Sequence, residues 1–294
     1  MENYQSRVLR EGLSFGEAPR WHEGRLWFSD FYRHGVFSID ERGTEERLEH
    51  TVPGQPSGLG WLPNGDMLCV SMTNHQVLRL HKGTSTLFAD ISKYCGFWAN
   101  DMVTSSSGVS YVGNFGFDLD GILRDQGVEG LTATPPPTTN VVVLSSEGTV
   151  IQVVAKMAFP NGSVITPDAK TLIVGETMTF CLNAFDINHD GTLANRRVWA
   201  QLDVVATDGM CLDADGQIWV ANALTNQVLR VKEGGEITAV VETTKTAYAC
   251  MLGGSDQKTL YVMTAPTSDR FRAADTTEGA IEVVRVPVKG AGRP

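Results

Sequence analysis

One short pattern returns six times along this chain of 294 residues: a polar residue, an apolar stretch, a turn carrying Gly or Asp, and a second apolar stretch. The copies run from Glu17 to Phe28, from Ser57 through Asn64-Gly65-Asp66 to Val70, from Asn100 through Gly108 to Val112, from Asn161 through Pro167-Asp168 to Val174 and from Asp208 through Asp215-Gly216 to Val220. A weaker sixth runs from Ala249 through Gly253 to Val262. Two copies share their continuation, Asn74-His75-Gln76-Val77-Leu78-Arg79-Leu80 and Asn226-Gln227-Val228-Leu229-Arg230-Val231. The starts lie roughly 40 to 47 residues apart, except for 61 residues between Asn100 and Asn161. That period is the length of one four-stranded propeller blade, and short strands joined by Gly-rich turns fit it. The expectation is an all-β chain, a single six-bladed β-propeller domain over residues 1–294. A ring must leave no open sheet edge, so Ser6–Arg10 and Ala280–Val288 are expected to pair within one blade.

Totals narrow the partners. A formal net charge of -10 with no Lys/Arg cluster argues against nucleic acid or an anionic membrane surface as a partner. No run approaches the roughly 18 apolar residues of a membrane span. The start of the chain, Met1-Glu2-Asn3-Tyr4-Gln5-Ser6, has neither a basic nor an apolar leader region, so a cytoplasmic location is expected. Cys69, Cys95, Cys181, Cys211 and Cys250 are odd in number and contain no C-x-x-C pair, which reads as reduced residues of the core.

The long interval contains an insertion, residues 118–140, including Pro135-Pro136-Pro137. In an up-and-down blade the loop leaving the second strand lies on the same face as the start of the first. The insertion is therefore expected to overhang the repeated polar positions as a lid. Asp186-Ile187-Asn188-His189-Asp190-Gly191 resembles the start of a Ca²⁺-binding loop, but Arg197 stands where a bidentate Glu is needed, and a hairpin turn is expected instead.

The innermost strands of a propeller point at its axis, so Glu17, Asn100, Asn161 and Asp208 are expected to converge there. Ser57 and Ala249 or Cys250 stand at the same phase in the other two copies. Two carboxylates and two carboxamides form a hard donor set for one divalent cation, Ca²⁺ first, with Mg²⁺, Mn²⁺ and Zn²⁺ compatible with the same oxygens. Other chemistries lack their motifs. There is no G-x-S-x-G elbow, no H-E-x-x-H pairing among the six His residues and no phosphate-cradling Gly loop followed by Lys.

Ser14-Phe15-Gly16-Glu17-Ala18-Pro19-Arg20-Trp21, Asn100-Asp101, Phe159-Pro160-Asn161-Gly162-Ser163, the run from Phe185 to Trp199 and Asp208-Gly209-Met210-Cys211-Leu212-Asp213 together resemble the SMP-30/gluconolactonase/LRE family of regucalcin-like sugar lactonases. The likeness extends from about residue 10 to 285. It implies a six-bladed propeller with a central divalent ion held by Glu17, Asn161 and Asp208, with Asn100 binding metal or substrate. It also implies Asp208 as general base and Asp118 as an acidic substrate contact. Trp98 departs from the family, where an Arg is frequent. An indole has one donor and a large apolar face, so the substrate is expected to be less hydroxylated than gluconolactone, with Trp98 in its wall.

The resulting expectation is a metal-dependent hydrolase that opens a small-molecule lactone. The rival readings are a phosphotriesterase or fluorophosphatase on the same ion and a calcium-binding propeller without turnover. The sequence sets no oligomeric state.

Overall fold

In the computed structural model of the protein, residues 1–134 and 136–293 are described; Pro135, within the insertion, and Pro294 lie outside the described residues. Each repeat folds as one antiparallel sheet with its strands in sequence order. Blade 1 consists of Gly16–His22, Arg25–Asp30, Gly35–Ile39 and Arg47–Thr51, and blades 2, 3 and 4 begin with Pro56–Trp61, Ala99–Thr104 and Pro160–Ile165. Blade 5 begins with Thr207–Leu212 and blade 6 with Thr246–Gly253. These six first strands pack each against the next, and Thr246–Gly253 returns to Gly16–His22, which completes the six-bladed ring.

Burial follows distance from the axis. Ala99–Thr104, Pro160–Ile165 and Thr207–Leu212 are buried throughout, because adjacent blades cover both of their faces. The outermost strand Val150–Met157 alternates between exposed and half-buried residues for most of its length. Asn161-Gly162 and Asp208-Gly209, whose sequence also suits a turn, lie inside first strands. A Cβ on Gly162 would stand 2.3 Å from the carbonyl oxygen of Asp208, so the bare backbone lets the two strands approach this closely.

Residues 188–192 form the expected hairpin turn between Cys181–Ile187 and Leu193–Gln201, with Asp186 bound to Asn195 and Arg197. All five cysteines are free, and every one but Cys95 is buried. Among the described residues no helix is long and apolar enough to cross a membrane.

Both chain ends seal the ring. Arg7–Leu13 pairs antiparallel with Gly279–Arg285 and supplies the fourth strand of blade 6. Glu2–Gln5 continues as a parallel fifth strand on Ile237–Glu242 of blade 5. Between them Ser6 donates to Glu282, a fully buried carboxylate that also accepts from Thr244 N at 3.1 Å and Thr264 Oγ1 at 3.0 Å. At the other face the C-terminal tail crosses from blade 5 to blade 4, with Ala291 N donating to Leu212 O at 2.9 Å and Arg293 N to Ile165 O at 3.0 Å.

Deleting residues 1–10 removes Ser6 and half of the closing strand. The melting temperature is expected to fall by more than about 5 °C, since this loses several kcal/mol from a chain of this size. An unchanged melting curve by circular dichroism would show that the ring closes without this strand.

Candidate active site

The polar residue of each repeat occupies the second position of its first strand: Glu17, Ser57, Asn100, Asn161 and Asp208. At or just after this residue every first strand loses register with its neighbour. The bulge bends the backbone and re-aims the side chain into the channel. In blade 6 the shift falls between Ala247 and Ala249, so Tyr248, rather than Ala249 or Cys250, holds the equivalent place.

A second repeated position escaped the sequence reading. Asp30, Asn114, Glu176 and Asn222 end the second strands of their blades, and each accepts a hydrogen bond from the segment leading into its own first strand. The donors are Ser14 N at 3.0 Å, Gly96 N at 3.3 Å, Ala158 N at 2.6 Å and Ala206 N at 3.2 Å. The signal was present as a polar residue closing each second apolar run. The next residues, Phe31, Phe115, Thr177 and Ala223, donate their N–H groups to the carbonyls of Phe15, Trp98, Phe159 and Ala206. These rungs set the cavity wall. Phe15, Trp98, Phe159, Phe31 and Phe115 line it together with Tyr248, around a space of about 750 Å³ counted out to its mouth.

The floor is polar. Ser57 Oγ donates to Asn100 Oδ1 at 3.1 Å, Asn100 Nδ2 to Asn161 Oδ1 at 3.1 Å and Asn161 Nδ2 to Thr177 Oγ1 at 3.2 Å. Asn161 also hydrogen-bonds Asp208, and Glu17 feels the charge of Asp208 directly. The expected four residues, Glu17, Asn100, Asn161 and Asp208, thus line one cavity.

Removal from water pushes both carboxyls up. Glu17 is raised well above its ordinary value by burial and then by Asp208, against the Ala18 N–H, which donates to it at 2.9 Å. Asp208 is pushed up to about 8 by burial and then by Asp101, opposed by Gly209 N and Asn161. The Arg20 guanidinium lowers Glu17, but by less than burial and Asp208 raise it. Arg20, itself buried, pairs with Asp101 at 3.1 Å and donates to the carbonyls of Pro19, Leu59 and Met102. Neither Glu17 nor Asp208 has an ion-pair partner among the described residues.

A buried, uncompensated carboxylate pair beside carboxamide oxygens could hold a hard divalent cation. The floor brings together two carboxylates, and no group of three or more His, Cys, Asp or Glu side chains with metal-binding geometry occurs among the described residues.

Two insertions cover the mouth. The one after the second strand of blade 3 carries helices α1 (Leu119–Gln126) and α2 (Glu129–Ala133), and Leu119 and Asp120 line the cavity. The other, which the sequence reading missed, follows the second strand of blade 6 and carries α3 (Arg270–Ala273).

Asp118, expected to contact substrate, is not in the cavity wall. It caps α1 by accepting from Gly121 N at 2.9 Å, and it binds both terminal nitrogens of Arg270, the Nη2–Oδ2 contact being 2.8 Å. The guanidinium holds this carboxyl below its ordinary value. Asp120 faces the cavity instead. Trp98 lines the wall as expected, stacked on Phe97 at 4.9 Å, with the Arg270 guanidinium 5.1 Å from its ring centre.

Comparison with known proteins agrees with this architecture. Residues 15–266 match the family described as SMP-30/Gluconolactonase/LRE-like region. Regucalcin of Danio rerio is 23% identical, covering 88% of this chain and 85% of its own. Pentonolactonase XacC of Haloferax volcanii is 25% identical, covering 98% and 96%. The crystal structure of a calcium-binding protein, regucalcin, from Agrobacterium tumefaciens superposes with a TM-score of 0.80 at 21% identity, covering 100% and 98% of the two chains. A gluconolactonase from Xanthomonas campestris gives 0.73 at 21% identity, covering 95% and 89%. With six repeats in one ring and the family match spanning most of its length, the chain belongs to the SMP-30/gluconolactonase/LRE-like family.

Proposed function

We propose that the protein is a metal-dependent lactonase acting on a lactone less hydroxylated than a sugar lactone. The observation that carries this reading is the pairing of an all-oxygen floor, with two carboxyls short of a counter-charge, and walls of Phe, Tyr and Trp. Its family membership and its likeness to a pentonolactonase support the reaction class.

Glu17, Asn161 and Asp208, with Asn100, would hold one divalent cation, Ca²⁺ first, and when bound it would supply polarisation of the ester carbonyl and acidification of the attacking water. Asp208 takes the proton that this water releases as its oxygen bonds to the acyl carbon. Asp208 then returns the proton to the ring oxygen as the carbon–oxygen bond breaks, so the product is a hydroxy acid. Asn161 and Gly209 N hydrogen-bond Asp208 and keep its carboxylate directed at the attacking water, with Glu17 beside it on the floor. Asn100, fixed by Ser57 and Asn161, orients the lactone. Phe15, Trp98, Phe115 and Phe159 bury the ring and exclude bulk water, which strengthens every charge interaction at the floor.

Asp208→Asn keeps the shape and removes the proton acceptor. Turnover of a lactone panel, followed by a pH indicator, is expected to fall by roughly 1,000-fold or more with the fold intact. Near-normal rates in this variant would exclude Asp208 from the chemistry. Phosphotriesters in the same panel separate the lactonase from a phosphotriesterase, and chelation followed by restoring Ca²⁺, Mg²⁺, Mn²⁺ or Zn²⁺ identifies the ion.

The raised carboxyls also set a pH dependence for the metal-free protein. Between the ordinary carboxylate range near 4 and about 8, the folded state binds more protons than the unfolded state, so stability falls as pH rises through that window. Chelated protein is expected to melt at a lower temperature at pH 8 than at pH 5. Asp208→Asn should flatten the difference, and added Ca²⁺ should restore stability at pH 8. Equal melting temperatures at both pH values would mean that the floor carboxyls bear no such penalty.

A further inference from the structure

The reacting floor is not the cavity's only polar end. At the mouth Arg270 and Asp120 both line the cavity, carried by insertions from different blades that meet over the channel. Their positions are held by other contacts. Arg270 is clamped by Asp118 through one N–H of each terminal nitrogen, and its backbone N donates to Asp120 Oδ2 at 3.3 Å. Two of the five guanidinium donors are committed to Asp118, which leaves three. On Asp120, Oδ2 takes the backbone bond and lies 3.7 Å from Arg270 Nη1, while Oδ1 accepts no hydrogen bond among the described residues.

The rigid aromatic bed under the guanidinium narrows its role. Arg270 lies 5.1 Å from the Trp98 ring centre, 5.7 Å from Phe97 and 4.6 Å from Phe271, and its side chain is 18% exposed. A guanidinium held so firmly loses little freedom on binding a ligand, which favours directional hydrogen bonding.

Charge decides which ligand. The single positive charge of Arg270 faces two carboxylates, Asp118 and Asp120, while Arg124 is engaged with Asp125 at 2.8 Å. The mouth is net negative, so a substrate carboxylate would meet repulsion from Asp120. A neutral group carrying both a donor and an acceptor would satisfy both side chains.

We propose that Arg270 and Asp120 form a specificity subsite at the cavity mouth for a neutral polar substituent of the substrate, a hydroxyl or secondary amide that accepts from Arg270 and donates to Asp120. This rests on the lactonase reading for the identity of the ring it is attached to. Arg270 and Asp120 take no part in bond making; they select which lactone is presented to the floor.

The test separates binding from turnover by using lactams, the hydrolysis-resistant cyclic amides, as probes in titration calorimetry. A bare lactam, a hydroxylated one, an acetamido one and a carboxylated one are titrated into the Ca²⁺-loaded full chain. Wild type is expected to bind the hydroxyl or acetamido ring roughly 10- to 100-fold more tightly than the bare ring, the range for a hydrogen bond to a charged group. Arg270→Met should lose this preference without weakening the bare ring, and Arg270→Lys should keep part of it. Asp120→Ala, which leaves the Asp118–Arg270 pair in place, should lower it as well.

The proposal is overturned by no preference in wild type, by a preference for the carboxylated ring, or by Arg270→Met weakening all rings alike with a lowered melting temperature. The last result would make Arg270 a clamp for the lid only. Turnover of the matching lactones is read separately. Absent turnover with the lactam preference intact rejects the lactonase and keeps the subsite, while turnover without preference does the reverse.

Discussion

Closure of the ring is the constraint on which the rest of this molecule depends. Six twisted sheets share one hub only if the last pairs with the first, and here the strand Arg7–Leu13 completes the blade begun by Thr246–Gly253. Closure presses the six first strands together. Gly162 and Gly209 occur where a side chain would strike the next strand, at 2.3 Å from Asp208 O and 2.4 Å from Ala249 Cβ. The narrow hub then forces side chains from distant parts of the sequence into a common space that water reaches from the open face. The carboxyls of Glu17 and Asp208 hold their protons strongly for this reason: burial first, and the neighbouring negative charge second.

The same repetition builds both the framework and the cavity. Within a blade, the bulge aims one residue at the axis, the polar end of the second strand ties down the incoming loop, and the two residues flanking that tie become wall. Substituting along these phases alters the cavity while the sheets stay as they are. Phe15, Trp98 and Phe159 make this wall aromatic at one phase. Phe31 and Phe115 do so at the other, whereas Thr177 and Ala223 occupy that second phase in blades 4 and 5.

The two insertions differ in how visible they were. The insertion at 118–140 stretched one repeat interval to 61 residues and was legible as an overhang. The loop around α3 falls after the last weak repeat, where no following copy exists to reveal an enlarged interval. Its Arg270 therefore entered no expectation, although it binds Asp118 and lies over Trp98. The reading of Asp118 as a substrate contact failed to anticipate this partner. Once a guanidinium from another blade approaches, the carboxylate turns to it and to the helix N-terminus, and Asp120, two residues on, faces the cavity.

By itself the sequence determined the number of blades, the sealing of the ring by its two ends, the insertion in blade 3 and the four polar residues at the hub, because each of these is a matter of period and phase along one chain. Tertiary structure decided what period cannot carry: that Tyr248 and not Ala249 or Cys250 completes the ring of inward residues, that Arg20 pairs with Asp101 and the floor carboxyls have no ion-pair partner among the described residues, and that Arg270 meets Asp118 and Trp98. A bulge moves phase by one residue, and an ion pair joins residues over 150 positions apart. Neither leaves a mark in the local order of amino acids.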